Sequence, residues 1–215
     1  MPPKAKSKSG YKLFAAKGGG SMIVEGGFAL AGLDLEVEYF TWTDLGLEHD
    51  ELRSVNPLMQ VPSLVCPDGR IMTESAAILM HLDDIAPQAG LIPGRDHPHR
   101  REFLRFLMLL NTAIYPSFTY GDSPKKWLKG DEEAGKKLRE STDDHRKSLW
   151  RYTESWTGAP WFLGETFSAL DLYLWPMTWW RPGRDWFKAE APKLHAIALK
   201  VEALPEIAKI HANQS

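Results

Sequence analysis

Hydrophobic and polar residues follow one another in short blocks along the first part of the chain, and these blocks predict strands and helices in turn. The apolar run at residues 11–16 and the alternating run at 36–40 have the length of strands. Residues 22–30 between them predict a helix that ends with Gly32 in the left-handed conformation. The order strand, helix, strand predicts a parallel pair with a helical crossover.

Residues 56–82 predict a hairpin followed by a helix. Pro62 opens the apolar run SLV, and proline belongs at the first residue or edge of a strand because it has no N–H to donate. Asp-Gly at 68–69, between two apolar stretches, indicates a tight hairpin turn. Thr73 or Ser75 can cap a helix that begins near Ser75. The predicted order βαβ, then ββα, matches a thioredoxin-like layout.

The same segment has features of a peptide-binding site. A helix start offers free N–H groups and a partial positive charge, which suit a carboxylate. An open strand edge beside Val61 can hydrogen-bond an extended peptide backbone. Each feature alone is more often plain structure, since most strand-start prolines, Asp-Gly turns and Ser caps bind nothing. Together they predict a site for a short acidic peptide.

Beyond a stretch rich in Pro, Gly and charge at 86–101, the hydrophobic spacing is helical. Ser168 stands three residues before Asp171, which is the spacing of a reciprocal helix cap, and we assign this pair to folding. The predicted organisation is a disordered basic arm at 1–10, a thioredoxin-like domain at 11–86, a linker at 87–99 and an all-helical domain at 100–215.

Composition narrows the function classes. The chain has 215 residues, 43% hydrophobic and 25% charged, enough for two soluble domains. Its net charge of −2 gives no general attraction to nucleic acid or an anionic membrane. Cys66 is the only cysteine, so no dithiol reductase motif is present. Asp96, His97 and His99 lack a further helical ligand, so we predict no metal site. Without a secretory or membrane-spanning segment, we expect a cytoplasmic protein.

The strings QVPSL, DG and ESAAI, at this spacing, resemble the glutathione-binding half of the cytosolic glutathione transferase family, of bacterial type. The resemblance implies a cis bond before Pro62 and pairing of the Val61 backbone with the cysteinyl part of glutathione. It implies that Glu74 and Ser75 hold the γ-glutamyl end, with Gln60 as a weaker addition. It also implies a homodimer that uses glutathione as co-substrate and adds its thiolate to a hydrophobic electrophile.

The thiolate-activating residue departs from the family pattern. The family keeps a Tyr, Ser or Cys at the end of the first strand or the start of the first helix, where this chain reads AAKGGGSM. Gly20 holds the place where some bacterial relatives carry a cysteine, and Ser21 is the remaining hydroxyl. Ser21 can donate to the thiolate or be an ordinary cap, and the glycine-loop N–H groups can themselves stabilise an anion. A non-catalytic glutathione-binding or scaffold protein of the same fold is therefore the alternative.

The electrophile pocket is expected to be built by the helical domain against the glycine loop. Aromatic residues cluster beside Pro116 and Pro176, and each proline should bend or end its helix. Many of these aromatic residues must simply be core, although large apolar pockets do suit hydrophobic electrophiles. The predicted lining is Tyr115, Phe118, Tyr120, Trp179 and Trp180.

Overall fold

The computed structural model describes residues 10–41 and 49–214, so the predicted basic arm lies outside the described residues apart from Gly10. Contacts between Cα atoms divide the chain into two units. The first unit runs to Ile92 and takes in residues from Lys200 onward, and the second unit is Pro93–Leu199. No helix in the described ranges is both long and apolar enough to cross a membrane.

The first unit is built on a four-stranded sheet in the order β2-β1-β3-β4. β1 and β2 are parallel, whereas β1 with β3 and β3 with β4 are antiparallel. This mixed sheet confirms the predicted thioredoxin-like layout. The strands are β1 Lys12–Ala16, β2 Glu36–Phe40, β3 Ser63–Val65 and β4 Ile71–Thr73, and the helices among them are α1 Ser21–Leu30, α2 Asp50–Val55 and α3 Ser75–Ile85.

The α1 helix packs closely against α3 because it carries a glycine at the contact. A Cβ atom at Gly27 would lie 2.6 Å from Leu79 Cδ2 and 3.0 Å from Leu82 Cδ2. Both leucines are fully buried, so they have little room to move away. The chain then leaves α1 through Gly32, whose φ of 65° is the predicted left-handed ending.

The C-terminal helix α11, Pro205–His211, packs against α1, and its Ile207 is fully buried. The last residues therefore group with the first unit, which differs from the predicted assignment of 100–215 to one helical domain. The physical reason is that the apolar side of α11 is buried on α1. Helical periodicity indicates that such a helix exists but not which surface it covers.

The second unit is helical in its described elements, apart from two isolated bridges, Trp161 with Gly164 and Leu163 with Thr166. A π-helical turn at Leu110–Ile114 joins its first two helices. Eight of the nine tryptophans of the chain fall within this unit's range. Its helices are α4 Arg100–Leu109, α5 Tyr115–Asp122, α6 Pro124–Trp127, α7 Glu132–Trp156, α8 Ala169–Met177, α9 Arg184–Glu190 and most of α10 Pro192–Glu202.

The predicted cap of α8 is present. The Asp171 carboxylate accepts from the Ser168 N–H at 2.8 Å, and Ser168 Oγ accepts from the Leu170 N–H at 3.3 Å. Asp171 also accepts from the Phe162 N–H at 2.7 Å, so it ties the preceding loop to the helix. Burial raises the pKa of Asp171 to about 7, although these bonds favour its charged form.

Candidate functional site

Three segments of the first unit meet at one edge of the sheet. The β1–β3 ladder ends where Phe14 pairs with Ser63, and the β3–β4 ladder ends where Ser63 pairs with Thr73. Continued for two residues, the first register brings Val61 level with Ala16, the last residue of β1. Glu74 follows directly after β4 at the same edge. The glycine loop, the residues before β3 and the start of α3 therefore converge.

Val61 presents a backbone at this edge whose polar groups are unpaired within the described part of the chain. The bond between Val61 and Pro62 is cis, as the resemblance implies. The Val61 side chain packs against the cluster of Phe14, Phe40 and Leu52. Within residues 10–41 and 49–214, neither its N–H nor its C=O has a hydrogen-bond partner. A backbone fixed by its side chain and free in its polar groups can pair with an extended peptide.

Asn56 shapes this segment, and sequence reasoning missed it. Its Nδ2 donates to the Gln60 C=O at 3.0 Å and to Ser63 Oγ at 3.1 Å, while its Oδ1 accepts from the Leu58 N–H at 3.0 Å. The residue is only 5% exposed. The dipeptide Asn-Pro is a turn signal that could have drawn attention to it. Gln60 itself is exposed, and its C=O also accepts from Ser63 Oγ at 2.8 Å.

Glu74 and Ser75 form the entry to α3. Glu74 has a φ of 63°, in the left-handed region that non-glycine residues rarely adopt. Such a backbone costs about 1–3 kcal/mol and is typical of ligand-binding positions. The Glu74 side chain is exposed, whereas Ser75 is largely buried. Among the described residues, no side-chain cap hydrogen bond is present at the start of this helix, and a helix start carries a partial positive charge.

The glycine loop between β1 and α1 is tightly turned. Gly18 has a φ of 67°, which favours glycine, and the Gly19 N–H donates to the Ala16 C=O at 3.1 Å. The N–H groups of Gly20 and Ser21 have no partner in the described part of the chain. These two groups lie at the positive end of α1, a ten-residue helix without acidic residues in its first turn. The arrangement suits an anion.

The Ser21 hydroxyl is occupied by the same turn. It donates to the Ala16 C=O and accepts from the Ala16 N–H, both at 3.0 Å, and Ser21 is fully buried. A hydroxyl has one hydrogen to donate. The geometry therefore disfavours the expected direct bond from Ser21 to a thiolate and assigns the side chain to closing the β1–α1 turn. Lys17, which precedes this turn, is exposed with its Nζ 6.0 Å from the centre of the Tyr39 ring.

The five aromatic residues predicted for the second-substrate pocket fall into three groups. Tyr115 and Phe118 both pack edge-on against Trp180, with ring centres 5.5 Å and 5.3 Å apart. Tyr120 instead packs on Trp127, and Trp179 packs on Trp175. The structure thus brings together Tyr115, Phe118 and Trp180.

Arg146 fixes the position of Phe118 and was missed at the sequence level. Its guanidinium is buried, lies 3.8 Å from the centre of the Phe118 ring, and donates to Ser117 Oγ at 2.9 Å and Asp143 at 2.6 Å. Arg181 donates to the same Asp143 carboxylate at 3.1 Å. An arginine in a polar stretch of helix gives no sign that it is buried, since only Asp143 of its partners lies on the same helix, whereas Ser117 and Arg181 are distant in sequence.

Cys66 lies at the end of β3 and is buried. Burial raises the pKa of its thiol, which keeps it protonated and poorly nucleophilic at neutral pH. This agrees with its interpretation as a small hydrophobic residue.

Comparisons with known proteins agree on one family. The profile described as "Glutathione S-transferase, N-terminal domain" matches residues 23–85. The "Uncharacterized GST-like protein YncG" of Escherichia coli K12 is 35% identical over 205 residues, covering 93% of this chain and 96% of its own. "Glutathione S-transferase GstA" of Escherichia coli O157:H7 is 27% identical over 162 residues, covering 74% and 69%. A glutathione transferase homologue from Sulfitobacter, solved with bound glutathione, superposes with a TM-score of 0.82 at 21% identity, covering 94% of this chain and 97% of its own.

Proposed function

The chain belongs to the glutathione S-transferase family, and from that membership we propose that it binds reduced glutathione, stabilises its thiolate and adds it to a hydrophobic electrophile. The observation that carries the proposal is the Val61 backbone, which has no hydrogen-bond partner among residues 10–41 and 49–214, beside the Glu74–Ser75 helix entry. Bound glutathione in the Sulfitobacter relative supports the choice of ligand. We further propose a cytoplasmic homodimer, in line with the commonness of twofold dimers.

The two ends of the proposed site suit two parts of the tripeptide. The Val61 N–H and C=O would pair with the cysteinyl backbone as a short antiparallel strand. The γ-glutamyl end carries both an ammonium and a carboxylate. The exposed Glu74 carboxylate suits the ammonium, and the α3 start at Ser75 suits the carboxylate. Gln60 and Pro62 would flank the peptide.

We assign stabilisation of the thiolate to the backbone of the glycine loop. A free thiol has a pKa of about 8.5. Lowering this pKa by about two units requires that the site stabilise the thiolate over the thiol by roughly 2.7 kcal/mol. A hydrogen bond to a charged acceptor contributes about 1.5–3 kcal/mol, and a helix start adds about 0.3–1 kcal/mol. The N–H groups of Gly20 and Ser21 at the start of α1 are therefore sufficient.

For the hydrophobic electrophile, we propose the group of Tyr115, Phe118 and Trp180, with Tyr120 and Trp179 at its margins. Edge-on aromatic packing gives a rigid apolar wall that suits a flat or aliphatic electrophile.

The decisive test is a calorimetric and absorbance titration with reduced glutathione. We expect binding, a thiolate pKa below that of free glutathione, and turnover on part of a panel of electrophiles. Glu74→Gln keeps the side-chain shape and removes the charge, so glutathione affinity should fall about tenfold or more. Leu58→Ala, at a side chain 73% exposed, is the control and should bind as the wild type does. Absence of binding at millimolar glutathione would refute the proposal.

The alternative is a glutathione-binding or scaffold protein without chemistry, and the engaged Ser21 hydroxyl favours it. In that case glutathione binds but the pKa of its thiol equals that of the free tripeptide, and no electrophile is consumed. The absorbance titration separates the two functions because it detects the thiolate directly.

A further inference from the structure

A chain of hydrogen bonds ties the C-terminal end of the protein to the glycine loop. The Gly18 N–H donates to Gln214 Oε1 at 3.0 Å, and Gln214 Nε2 donates to the Tyr39 hydroxyl at 3.4 Å. Tyr39 in turn donates its O–H to the Glu25 carboxylate on α1. Gly18 and Gln214 are 196 residues apart in sequence, so only the fold brings them together.

Glu25, the last residue in this series of hydrogen bonds, has an unusually buried carboxyl group. It is only 5% exposed, and its second carboxylate oxygen, Oε1, is buried without a hydrogen-bond partner among residues 10–41 and 49–214. Burying a carboxylate is costly unless it is paired and hydrogen-bonded, and here one of its two oxygens has a hydrogen-bond partner among the described residues. Every donor in this series of hydrogen bonds points toward the Glu25 carboxyl group, and hydrogen bonds aligned in this way strengthen one another.

We propose that Gln214 is a positioning residue for the thiol end of the glutathione site, holding the glycine loop through Gly18 while Tyr39 and Glu25 hold Gln214. The inference rests on the proposed function, which makes this loop the thiolate site. Gly18 is held from the C-terminal end and Gly19 is held by the Ala16 C=O. Two successive peptide groups are thereby fixed, and with them the direction of the Gly20 and Ser21 N–H groups that follow.

Gln214→Leu tests the proposal because it removes both polar groups and keeps a side chain of comparable bulk. Tyr39→Phe removes the hydroxyl and keeps the ring, and Asn213→Ala is the matched control at an exposed neighbouring side chain. With reduced glutathione as the probe, Gln214→Leu should raise the pKa of the bound thiol. The affinity of the variant for glutathione should fall about three- to tenfold, which corresponds to the net contribution of one hydrogen bond. The Tyr39→Phe change should act in the same direction, and the double variant should lose no more than Gln214→Leu alone.

A second ligand separates positioning from general damage to the fold. S-methylglutathione has no ionisable thiol, so Gln214→Leu and the wild type should bind it equally. Loss of affinity for both ligands, or strictly additive effects of the two substitutions, would overturn the positioning role. An unchanged pKa of the bound thiol in Gln214→Leu would do the same while leaving the proposed function intact.

Amide hydrogen exchange without any ligand provides the independent readout. Exchange at Gly18 should accelerate in Gln214→Leu and not in Asn213→Ala. Equal exchange in both variants would show that the contact does not hold the loop. A wild type that binds no glutathione would remove the proposed function and this inference together, whatever the exchange rates.

Discussion

The hydroxyl group of Ser21 bridges the end of β1 and the start of α1, with both of its hydrogen-bonding roles taken by Ala16. At the scale of single residues, these two bonds favour a structural role for the Ser21 side chain over direct donation to a thiolate. Asn56 presents a similar case, because its buried amide is engaged by the Gln60 C=O and by Ser63 Oγ and so shapes the residues around Gln60.

Ser21→Ala should therefore destabilise the first unit more than it alters the thiolate. The change removes the hydroxyl partner of the fully buried Ala16 N–H and leaves the Ala16 C=O with the Gly19 N–H, so we expect a loss of about 1–3 kcal/mol in the free energy of unfolding. Urea unfolding and amide hydrogen exchange in α1 measure the loss of stability. Ser141→Ala, at an exposed side chain, is the control. Unchanged stability together with a thiolate pKa equal to that of free glutathione would restore Ser21 as the direct donor.

Glu25 should make the first unit less stable as pH rises. Burial raises its pKa from 4.5 to about 7, although the Tyr39 bond opposes the shift. The folded state therefore binds the proton more tightly than the unfolded state does. The stability this group contributes is fully present below about pH 4.5 and is lost as pH rises through about 7, a change of up to about 3 kcal/mol.

Comparison with Glu25→Gln isolates this effect from the other titrating groups. The difference in unfolding free energy, wild type minus variant, should fall between about pH 5 and pH 8 and level off above that range. Amide exchange in α1 at several pH values measures it. A difference independent of pH would mean that Glu25 titrates normally in the folded state.

At the scale of elements, the thioredoxin-like order, the hairpin, the left-handed Gly32 and the Ser168–Asp171 cap follow from local chemistry, and the structure has them all. Local pattern suffices because turns and caps depend on a few adjacent residues. The partners of α11 and the Gly18–Gln214 bond were not predictable in this way. They join segments far apart in sequence, for which no spacing rule exists.

Substitution by alanine should change the stability of the protein in opposite directions at two helical glycines, Gly27 and Gly135. Gly27→Ala would force its Cβ to within 2.6 Å of the buried Leu79, so overpacking of about 1–3 kcal/mol should exceed the helix-propensity gain of about 1 kcal/mol. Gly135→Ala meets Pro124 at 3.5 Å, an ordinary contact, and should stabilise α7. Thermal and urea unfolding of both variants measure the contrast, and stabilisation by Gly27→Ala would mean that α1 and α3 can separate freely.

At the scale of the whole molecule, the C-terminal helix α11 belongs to the first unit, although the residues of the second unit, Pro93–Leu199, precede it in sequence. Truncation of the fully buried Ile207 to alanine should lower the free energy of unfolding of the first unit by about 2–5 kcal/mol. Amide exchange should accelerate in α1 and remain unchanged in α7. Leu199→Ala, at a side chain 42% exposed, is the control. Equal acceleration in α1 and α7 would contradict the assignment of α11 to the first unit.

The uneven placement of the tryptophans determines what intrinsic fluorescence can report. Because eight of the nine indole rings fall within the helical unit, an emission-monitored melt follows chiefly that unit. Opening of the sheet around Val61 would leave most of this signal unaltered. A sample with native-like tryptophan fluorescence could therefore already have lost the surface that we propose as the glutathione site.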